Sequence, residues 1–199
     1  MHPRIFHEFE RICSERHTGD SVLEIGAVPS DDSLLCMESL KNARLKVGIN
    51  IDGPYTYKDF EIFEMNANDM SYFNNEMFDT VVSNAVLEHD RFFWKTISEM
   101  KRVIRPGGLI VIAVPGYRKL QIEKIFSRLE RVSVFRRFLL NPLGLVFSST
   151  LTFQVHNHPG DFYRFSPQAV REVFFEGMRD VDIYSVMIPP RIIGAGIKA

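Results

Sequence analysis

The sequence predicts an α/β fold with a mostly parallel sheet and helices on both faces. Short segments of β-favouring residues alternate with longer segments whose apolar residues recur at helical spacing. The most apolar of the short segments is residues 109–114 (LIVIAV), which suits a strand that is covered on both faces. Since neighbouring parallel strands need crossover connections, this alternation favours a parallel sheet between two layers of helices.

The length and composition bound the class of protein. A chain of 199 residues predicts one domain, residues 1–199, that is large enough to bury a substantial core. The 24 Lys and Arg residues against 25 Asp and Glu give a net charge of −1. Such a balance gives no indication of nucleic acid or an anionic membrane as the main partner, although a locally basic surface is compatible with it.

The cysteines and the apolar stretches bear on location. Cys13 and Cys36 fit neither a metal-binding spacing nor a disulfide framework, which favours a reducing compartment. The first residues carry charges and lack the apolar core of a signal peptide. The longest apolar stretch, residues 138–147, is too short to span a bilayer. We therefore expect a soluble, cytoplasmic protein with no transmembrane segment.

The elements follow in order along the first 115 residues. Residues 3–17 have apolar side chains at helical spacing with charges between them, which predicts an amphipathic helix. A crossover helix is predicted over residues 31–42 and another helix over residues 92–104, ended by the Pro106-Gly107-Gly108 turn. The predicted strands cover residues 21–25, 45–49, 60–65, 78–83 and 109–114.

The alternation relaxes after Pro115. Residues 118–156 are predicted to form a helical insertion after the fifth strand, a cap or lid with basic side chains among apolar ones. A dimer surface and a patch that rests on a membrane face are alternatives for this segment. Ser166 and Pro167 then suit the start of a helix that continues to about Gly177. Residues 181–187 and 191–198 are predicted to be two closing strands.

The turn after the first strand is the first candidate for a functional site. Gly26 ends the apolar segment Ser21–Ile25, and Pro29 and Ser30 suit the start of the predicted helix. A nucleotide-like cofactor often binds at such a strand–turn–helix junction. Only one glycine is present, however, so this turn alone is weak evidence for a cofactor.

Four motifs in register resemble one known family. They are LEIG (23–26), FDTVVSNAVLEH (78–89), IRPGGLIVIAVP (104–115) and HPGDFYRFSP (158–167). Together they resemble the class I S-adenosylmethionine-dependent methyltransferases, in particular the type 11-like group. The resemblance implies a Rossmann-like sheet of seven strands, with the last strand antiparallel.

The resemblance also implies a cofactor, S-adenosylmethionine, and the residues that bind it. In the family, the turn after the first strand approaches the methionine part of the cofactor, the end of the second strand approaches the ribose, and a later turn approaches the adenine. The matching positions here are Glu24, Gly26, Ala27, Asn50, Ile51, Asn66, Ala67, Ser83, Asn84 and His89. Asn50 and Asn66 stand where the family usually has acidic residues.

The HPGDFYRFSP segment supplies the candidates for the acceptor side. A histidine can take a proton from a hydroxyl group near neutral pH, so His158 and His156, with Asp161, are the candidate catalytic residues. Tyr163 and Arg164 are the candidate substrate-binding residues. The His-x-His-x-x-Asp spacing is also compatible with a divalent metal ion, but the pattern is weak and no metal site is predicted.

The sequence therefore predicts an enzyme that transfers a methyl group from S-adenosylmethionine to oxygen or nitrogen of a small-molecule or glycan-like acceptor. No nucleic acid partner is expected, and a homodimer is left open. The altered cofactor positions leave one main alternative, a methyltransferase-like binding or scaffold subunit without catalysis. A Rossmann domain that uses another nucleotide is a weaker alternative, because the G-x-G-x-x-G pattern is missing.

Overall fold

The structure is a computed structural model that describes residues 1–16, 18–117 and 160–199. The helices are α1 (Pro3–Glu15), α2 (Phe93–Val103) and the short α3 (Pro167–Ala169), which continues as a π-helical turn (Val170–Phe174). The strands are β1 (Ser21–Ile25), β2 (Leu45–Asn50), β3 (Tyr55–Tyr57), β4 (Phe60–Glu64), β5 (Phe78–Asn84), β6 (Ile104–Pro115), β7 (Met178–Val186) and β8 (Arg191–Lys198).

The described residues form one sheet of eight strands in the order β3-β4-β2-β1-β5-β6-β8-β7. Parallel pairing joins β4 to β2, β2 to β1, β1 to β5 and β5 to β6. The strand β8 is antiparallel to both of its neighbours, β6 and β7, which confirms the prediction that the last strand is antiparallel. The carboxyl ends of the parallel strands therefore lie at one edge of the sheet, which we call the carboxyl edge.

The predicted number of seven strands is wrong for the described residues, because β3 adds an eighth. This strand follows a turn-rich stretch and pairs only with β4, in antiparallel orientation. Its first two residues, Tyr55 and Thr56, are exposed. A strand of three residues with so little burial leaves no alternating pattern, so it is defined by its backbone pairing alone.

The predicted helix over residues 31–42 is also wrong. Two short 3₁₀ turns, Leu34–Cys36 and Glu38–Leu40, stand in its place. The Glu24 carboxylate accepts hydrogen bonds from the Leu34 and Leu35 backbone nitrogens, at 3.1 and 3.3 Å, and Glu10 accepts one from the Ser39 nitrogen at 2.8 Å. These donors are therefore held by distant carboxylates, which favours tight turns over a regular helix.

The remaining predicted helices have different outcomes. The helices predicted over residues 3–17 and 92–104 are confirmed as α1 and α2. The helix predicted from Ser166 to about Gly177 is shorter, because the π-helical turn ends at Phe174. The predicted cap or lid, residues 118–156, lies outside the described residues.

The core consists of two layers, one on each face of the sheet. On one face, Phe9 and Ile12 of α1 pack with Leu34 and Leu35 against the sheet. On the other face, α2 and the π-helical turn pack against β1, β5 and β6. Helices on both faces are thereby confirmed within the described residues. No helix of the described residues is long and apolar enough to cross a membrane.

Candidate functional site

The carboxyl edge brings together residues that are distant in the sequence. Gly26 follows β1, Asn50 ends β2, and Asn84 ends β5. Ile25 lies between Ile49 and Ser83 in the sheet register, so these three strand ends are adjacent. The predicted cofactor residues therefore approach one another at the edge where this class of sheet binds its ligands.

Glu24 is buried below this edge and supports the turn from inside. Its carboxylate accepts hydrogen bonds from the Ser33 hydroxyl, at 2.5 Å, and from the backbone nitrogens of Leu34 and Leu35. Burial raises its pKa to about 7, although these hydrogen bonds partly offset the effect. Glu24 thus positions the turn from the core side of the sheet.

Position 26 requires glycine for two reasons, its backbone conformation and a close neighbouring side chain. Its φ of +82° lies in the left-handed region, and an added Cβ would meet the Val86 side chain at 2.3 Å. The backbone nitrogens of Gly26 and Ala27 both donate to the Ile49 carbonyl, at 2.9 and 3.1 Å. These two donors are therefore engaged in closing β1 onto β2.

Asn50 closes the same junction from the second strand. Its Nδ2 donates to the Ala27 carbonyl at 2.8 Å, and its Oδ1 accepts from the Asp52 backbone nitrogen at 3.3 Å. Ile51 projects into solvent with 74% of its surface exposed. A carbonyl oxygen has two lone pairs, so the Asn50 Oδ1 retains an accepting position.

The turn after β4 carries the next two predicted residues. Asn66 is exposed, and its Oδ1 accepts from the Asn68 backbone nitrogen at 2.9 Å. Ala67 is half-buried beside the core layer that contains α2. The Asn68 amide donates to Asp90 and Thr96, at 2.6 and 2.8 Å, and so ties this turn to the start of α2.

The end of β5 places its two predicted residues differently. Ser83 is 1% exposed, and its hydroxyl donates to the Ile25 carbonyl at 3.4 Å, so it faces the strand next to it. Asn84 is half-buried at the edge itself. Ala85, which follows, has a φ of +57°, and this turns the chain sharply towards Val86 and Gly26.

Glu88 belongs to this site but is not among the predicted cofactor-binding, substrate-binding or catalytic residues. It is 2% exposed, and its Oε1 lies 3.3 Å from Nη1 of Arg191 at the start of β8. Its Oε2 is buried without a hydrogen-bond partner in the part of the chain that the structure describes. Burial raises its pKa, and Arg191 opposes that shift. Its place in the VLEH motif was the only available signal.

The described part of the HPGDFYRFSP segment, residues 160–167, docks on the same loop. The backbone nitrogens of Phe162 and Tyr163 donate to the Glu88 carbonyl, at 2.8 and 3.3 Å. Arg164 forms a two-point ion pair with Asp161, whose side chain is 5% exposed, and this pair raises the Arg164 pKa. The structure thus brings the described part of the predicted acceptor side next to Glu88.

The predicted histidines are placed unequally. His89 is partly buried, with its Nε2 4.0 Å from Glu88 Oε1. His156 and His158 lie outside the described residues, so the catalytic role assigned to them stays a prediction. Tyr163 donates its hydroxyl to the Arg91 carbonyl at 2.9 Å, and its ring packs against Phe93, with centroids 5.0 Å apart. This contact fixes the loop to the start of α2.

The groups at the carboxyl edge fit S-adenosylmethionine. The exposed Ile51 and the half-buried Ala67 follow the neighbouring strands β2 and β4, so apolar surface is available there for an adenine ring. Asn50 carries an amide oxygen at this edge, and an amide oxygen accepts a weaker hydrogen bond than a carboxylate does.

The comparisons with known proteins agree with this geometry. Residues 35–112 match a family model described as a methyltransferase domain. No curated protein matches the chain at a significant level. The matched residues include β2, β4 and β5, which form much of the carboxyl edge.

Solved structures share the fold at low sequence identity. A protein from Bordetella parapertussis described as possibly exported has a TM-score of 0.64 and 15% identity, over 98% of this chain and 67% of its own. A Haemonchus contortus phosphoethanolamine N-methyltransferase 2 has a TM-score of 0.61 and 11% identity, over 98% of this chain and 52% of its own. This chain therefore spans about half the length of the Haemonchus protein.

A third structure is the Burkholderia thailandensis 1,6-didemethyltoxoflavin-N1-methyltransferase, with a TM-score of 0.61 and 13% identity, over 98% of this chain and 78% of its own. The Haemonchus and Burkholderia structures both contain S-adenosylhomocysteine. The resemblance that the sequence indicates is thereby confirmed: the chain has the fold of the class I S-adenosylmethionine-dependent methyltransferases.

Proposed function

We propose that the protein transfers a methyl group from S-adenosylmethionine to oxygen or nitrogen of a small-molecule or glycan-like acceptor. The observation that carries this proposal is the convergence of β1, β2, β4 and β5 at one edge, next to the loop that holds Glu88 and the segment with Asp161 that docks on that loop. A cofactor side and an acceptor side are therefore adjacent, as methyl transfer requires.

On the cofactor side, the residues of the chain bind and orient S-adenosylmethionine. Ile51 and Ala67 provide apolar contacts for the adenine, and the Asn50 amide oxygen accepts from a ribose hydroxyl. Gly26 keeps the turn close to the sheet, because any side chain there would meet Val86. When bound, S-adenosylmethionine supplies a methyl group already activated on a sulfonium, so positioning is the main task of the protein.

On the acceptor side, the residues hold the acceptor and accept its proton. His158 or His156 takes the proton from the hydroxyl or amine that is methylated. Asp161 fixes Arg164 through their ion pair, and Tyr163 is held by the Arg91 carbonyl, so this part of the loop is positioned before the acceptor binds. The Asp161–Arg164 pair is partly buried, so solvent and salt screen the attraction between its charges less than in an exposed pair.

Titration calorimetry with S-adenosylmethionine and S-adenosylhomocysteine tests the cofactor side. We expect heat of binding, a higher melting temperature, and at least about tenfold weaker binding after Ile51→Glu, because a carboxylate repels the adenine face. Val173→Glu is the matched control, since Val173 is an exposed side chain on the π-helical turn. No heat and no thermal shift at millimolar cofactor would contradict the proposal.

A transfer assay with labelled S-adenosylmethionine tests the acceptor side. His156→Ala combined with His158→Ala is expected to lower turnover by about 100-fold or more while cofactor affinity is kept. If turnover and affinity both stay unchanged, the histidines have no part in proton transfer.

The second candidate function is a binding or scaffold subunit without catalysis. It is favoured by the closed state of the first turn, where the Gly26 and Ala27 nitrogens are bound to Ile49 and the Asn50 amide is bound to Ala27. The same calorimetry distinguishes the two functions, because a subunit of this kind needs no cofactor.

A further inference from the structure

An exposed aromatic surface lies beside the acceptor side of the carboxyl edge. It consists of Arg91, Phe92, Trp94, Lys95 and Phe162, and we call it the aromatic patch. Phe92, Trp94 and Phe162 are 43%, 50% and 46% exposed. An aromatic side chain has roughly 150–250 Å² of surface, so the three rings together leave roughly 300 Å² of apolar area in contact with solvent.

The patch is continuous and is held from below. The rings of Phe92 and Trp94 are 5.7 Å apart, and Trp94 is 5.4 Å from Phe93. Phe93 in turn packs against Tyr163, which neighbours Phe162 with ring centroids 6.1 Å apart. The exposed rings are thus fixed on a packed aromatic layer.

The two cations of the patch lie over its rings. The Arg91 guanidinium carbon is 5.4 Å from the centre of the Phe162 ring, and Lys95 Nζ is 5.2 Å from the centre of the Phe92 ring. Within residues 1–16, 18–117 and 160–199, neither cation forms an ion pair with a carboxylate. Positive charge and apolar area are therefore presented on the same surface.

We propose that the aromatic patch docks the protein on an anionic lipid surface. Tryptophan and phenylalanine favour the boundary between water and hydrocarbon, and neighbouring lysine and arginine are attracted by anionic headgroups. Two of the three exposed rings, Phe162 and Phe92, each have one of these cations over them, and neither cation is paired with a carboxylate within the described residues. The charge complementarity of Arg91 and Lys95 thus selects the anionic surface.

Docking in this way has a consequence for the site. The Phe162 nitrogen donates to the Glu88 carbonyl at 2.8 Å, so the patch directly adjoins the loop that carries Glu88. The acceptor side therefore opens next to the lipid surface. Membrane binding itself needs neither cofactor nor catalysis, so this proposal and the proposed methyl transfer succeed or fail independently.

Trp94 is the single tryptophan of the 199-residue chain, which makes its fluorescence a direct probe of the patch. The full chain is titrated with vesicles of equal parts phosphatidylcholine and phosphatidylglycerol. We expect a blue shift of the emission, co-sedimentation with the vesicles, and quenching by brominated acyl chains. Vesicles of phosphatidylcholine alone are expected to bind at least about tenfold more weakly, because the headgroup attraction is missing.

A charge-reversal pair provides the matched comparison. Arg91→Glu with Lys95→Glu is expected to weaken binding to the anionic vesicles at least about tenfold. The control, Lys41→Glu with Arg44→Glu, makes the same change of charge at exposed side chains just before β2, at the edge of the sheet opposite the carboxyl edge. It is expected to bind anionic vesicles like the unaltered chain. Melting temperatures confirm that each variant is folded.

Three results would overturn the proposal. One is no emission shift and no sedimentation with anionic vesicles. Another is binding of the Arg91→Glu, Lys95→Glu variant to anionic vesicles as tightly as the unaltered chain. A third is a Trp94 shift on addition of soluble chitooligosaccharides without any response to vesicles, which would assign the patch to a sugar.

Discussion

Glu24 and Gly26 show how single residues shape the first turn of the carboxyl edge. Glu24 is 3% exposed and satisfies the hydroxyl of Ser33 and two backbone nitrogens. Gly26 has no side chain, and this leaves the space in which Val86 packs against the turn. Each residue therefore has a structural reason for its identity that is separate from any contact with a cofactor.

The buried carboxyl of Glu24 predicts a pH dependence of stability. Burial raises its pKa from the ordinary value of about 4.3 to about 7, so the folded state binds this proton more tightly than the unfolded state. The stability that this proton provides is complete below about pH 4.3 and is lost as the pH rises towards 7. The loss is at most about 4 kcal/mol.

Glu24→Gln removes this titration. Between pH 5 and pH 8, the unaltered chain is expected to lose stability relative to the variant, as measured by urea unfolding at each pH. Glu61→Gln, at an exposed carboxylate of β4, is the control and is expected to run parallel to the unaltered chain. If the free energy of unfolding of Glu24→Gln also runs parallel to that of the unaltered chain between pH 5 and pH 8, Glu24 is already ionised in the folded state at pH 5.

Gly26→Ala tests the close approach of Val86. The substitution is expected to cost about 1–2 kcal/mol for the left-handed backbone and about 1–3 kcal/mol more for the clash. Gly107→Ala is the matched control, since Gly107 has a φ of +79° and an added Cβ there has no neighbour within 4 Å. In urea unfolding, Gly107→Ala should lose only the stability that the left-handed backbone costs. Adding Val86→Ala to Gly26→Ala should restore part of the lost stability. Equal costs at both glycines would contradict this account.

At the scale of elements, Arg102 of α2 holds the connection between β4 and β5. Its guanidinium donates to the Met70 and Phe73 carbonyls and to Asn75, at 2.8, 2.9 and 2.9 Å, and pairs with Glu99. The Met70 nitrogen donates to the same Glu99 at 2.7 Å. This turn is therefore shaped by α2, from about 30 positions further along the chain.

Arg102→Lys is expected to destabilise the protein by about 1–3 kcal/mol, because an ammonium cannot reach the carbonyls and Asn75 at the same time. Proteolysis within residues 71–76 should become faster. The control is Arg44→Lys, where the exposed guanidinium makes one ion pair at 3.3 Å, and little change is expected there. An equal loss at Arg44 would contradict the role of the fork geometry.

At the scale of the whole molecule, the two core layers share one sheet, and its centre is the best-protected part. Within the described residues, β1, β5 and β6 are covered on both faces. The strand β3 pairs only with β4, and β7 pairs only with β8. The free energy of local opening is therefore lowest at the two outer strands, β3 and β7.

Amide hydrogen exchange followed by mass spectrometry checks this distribution. Peptides from β1, β5 and the second half of β6 are expected to exchange most slowly, and those from β3 and β7 much faster. Protection of β7 equal to that of β6 would mean that the edge strand opens only with the whole sheet.

Elements whose signals are local were predicted correctly from the amino-acid sequence. The helical spacing of Ile5, Phe9 and Ile12 predicted α1, and the continuous apolar segments predicted β1, β5 and β6. Gly26, Asn50 and Asn84 each follow a predicted strand directly, and the resemblance marked them as cofactor-binding residues. These features depend on neighbours a few residues apart, so the sequence carries them directly.

Features that depend on distant partners could not be predicted in this way and are seen only in the folded chain. The turns at residues 34–40 replace a helix because Glu24 and Glu10 bind their backbone nitrogens. The pair of Glu88 and Arg191 joins residues 103 positions apart. The sheet edge is extended by β3 only because β4 offers it a partner. A hydrogen bond or ion pair between remote residues leaves no periodic pattern, so these contacts become visible only when the chain is folded.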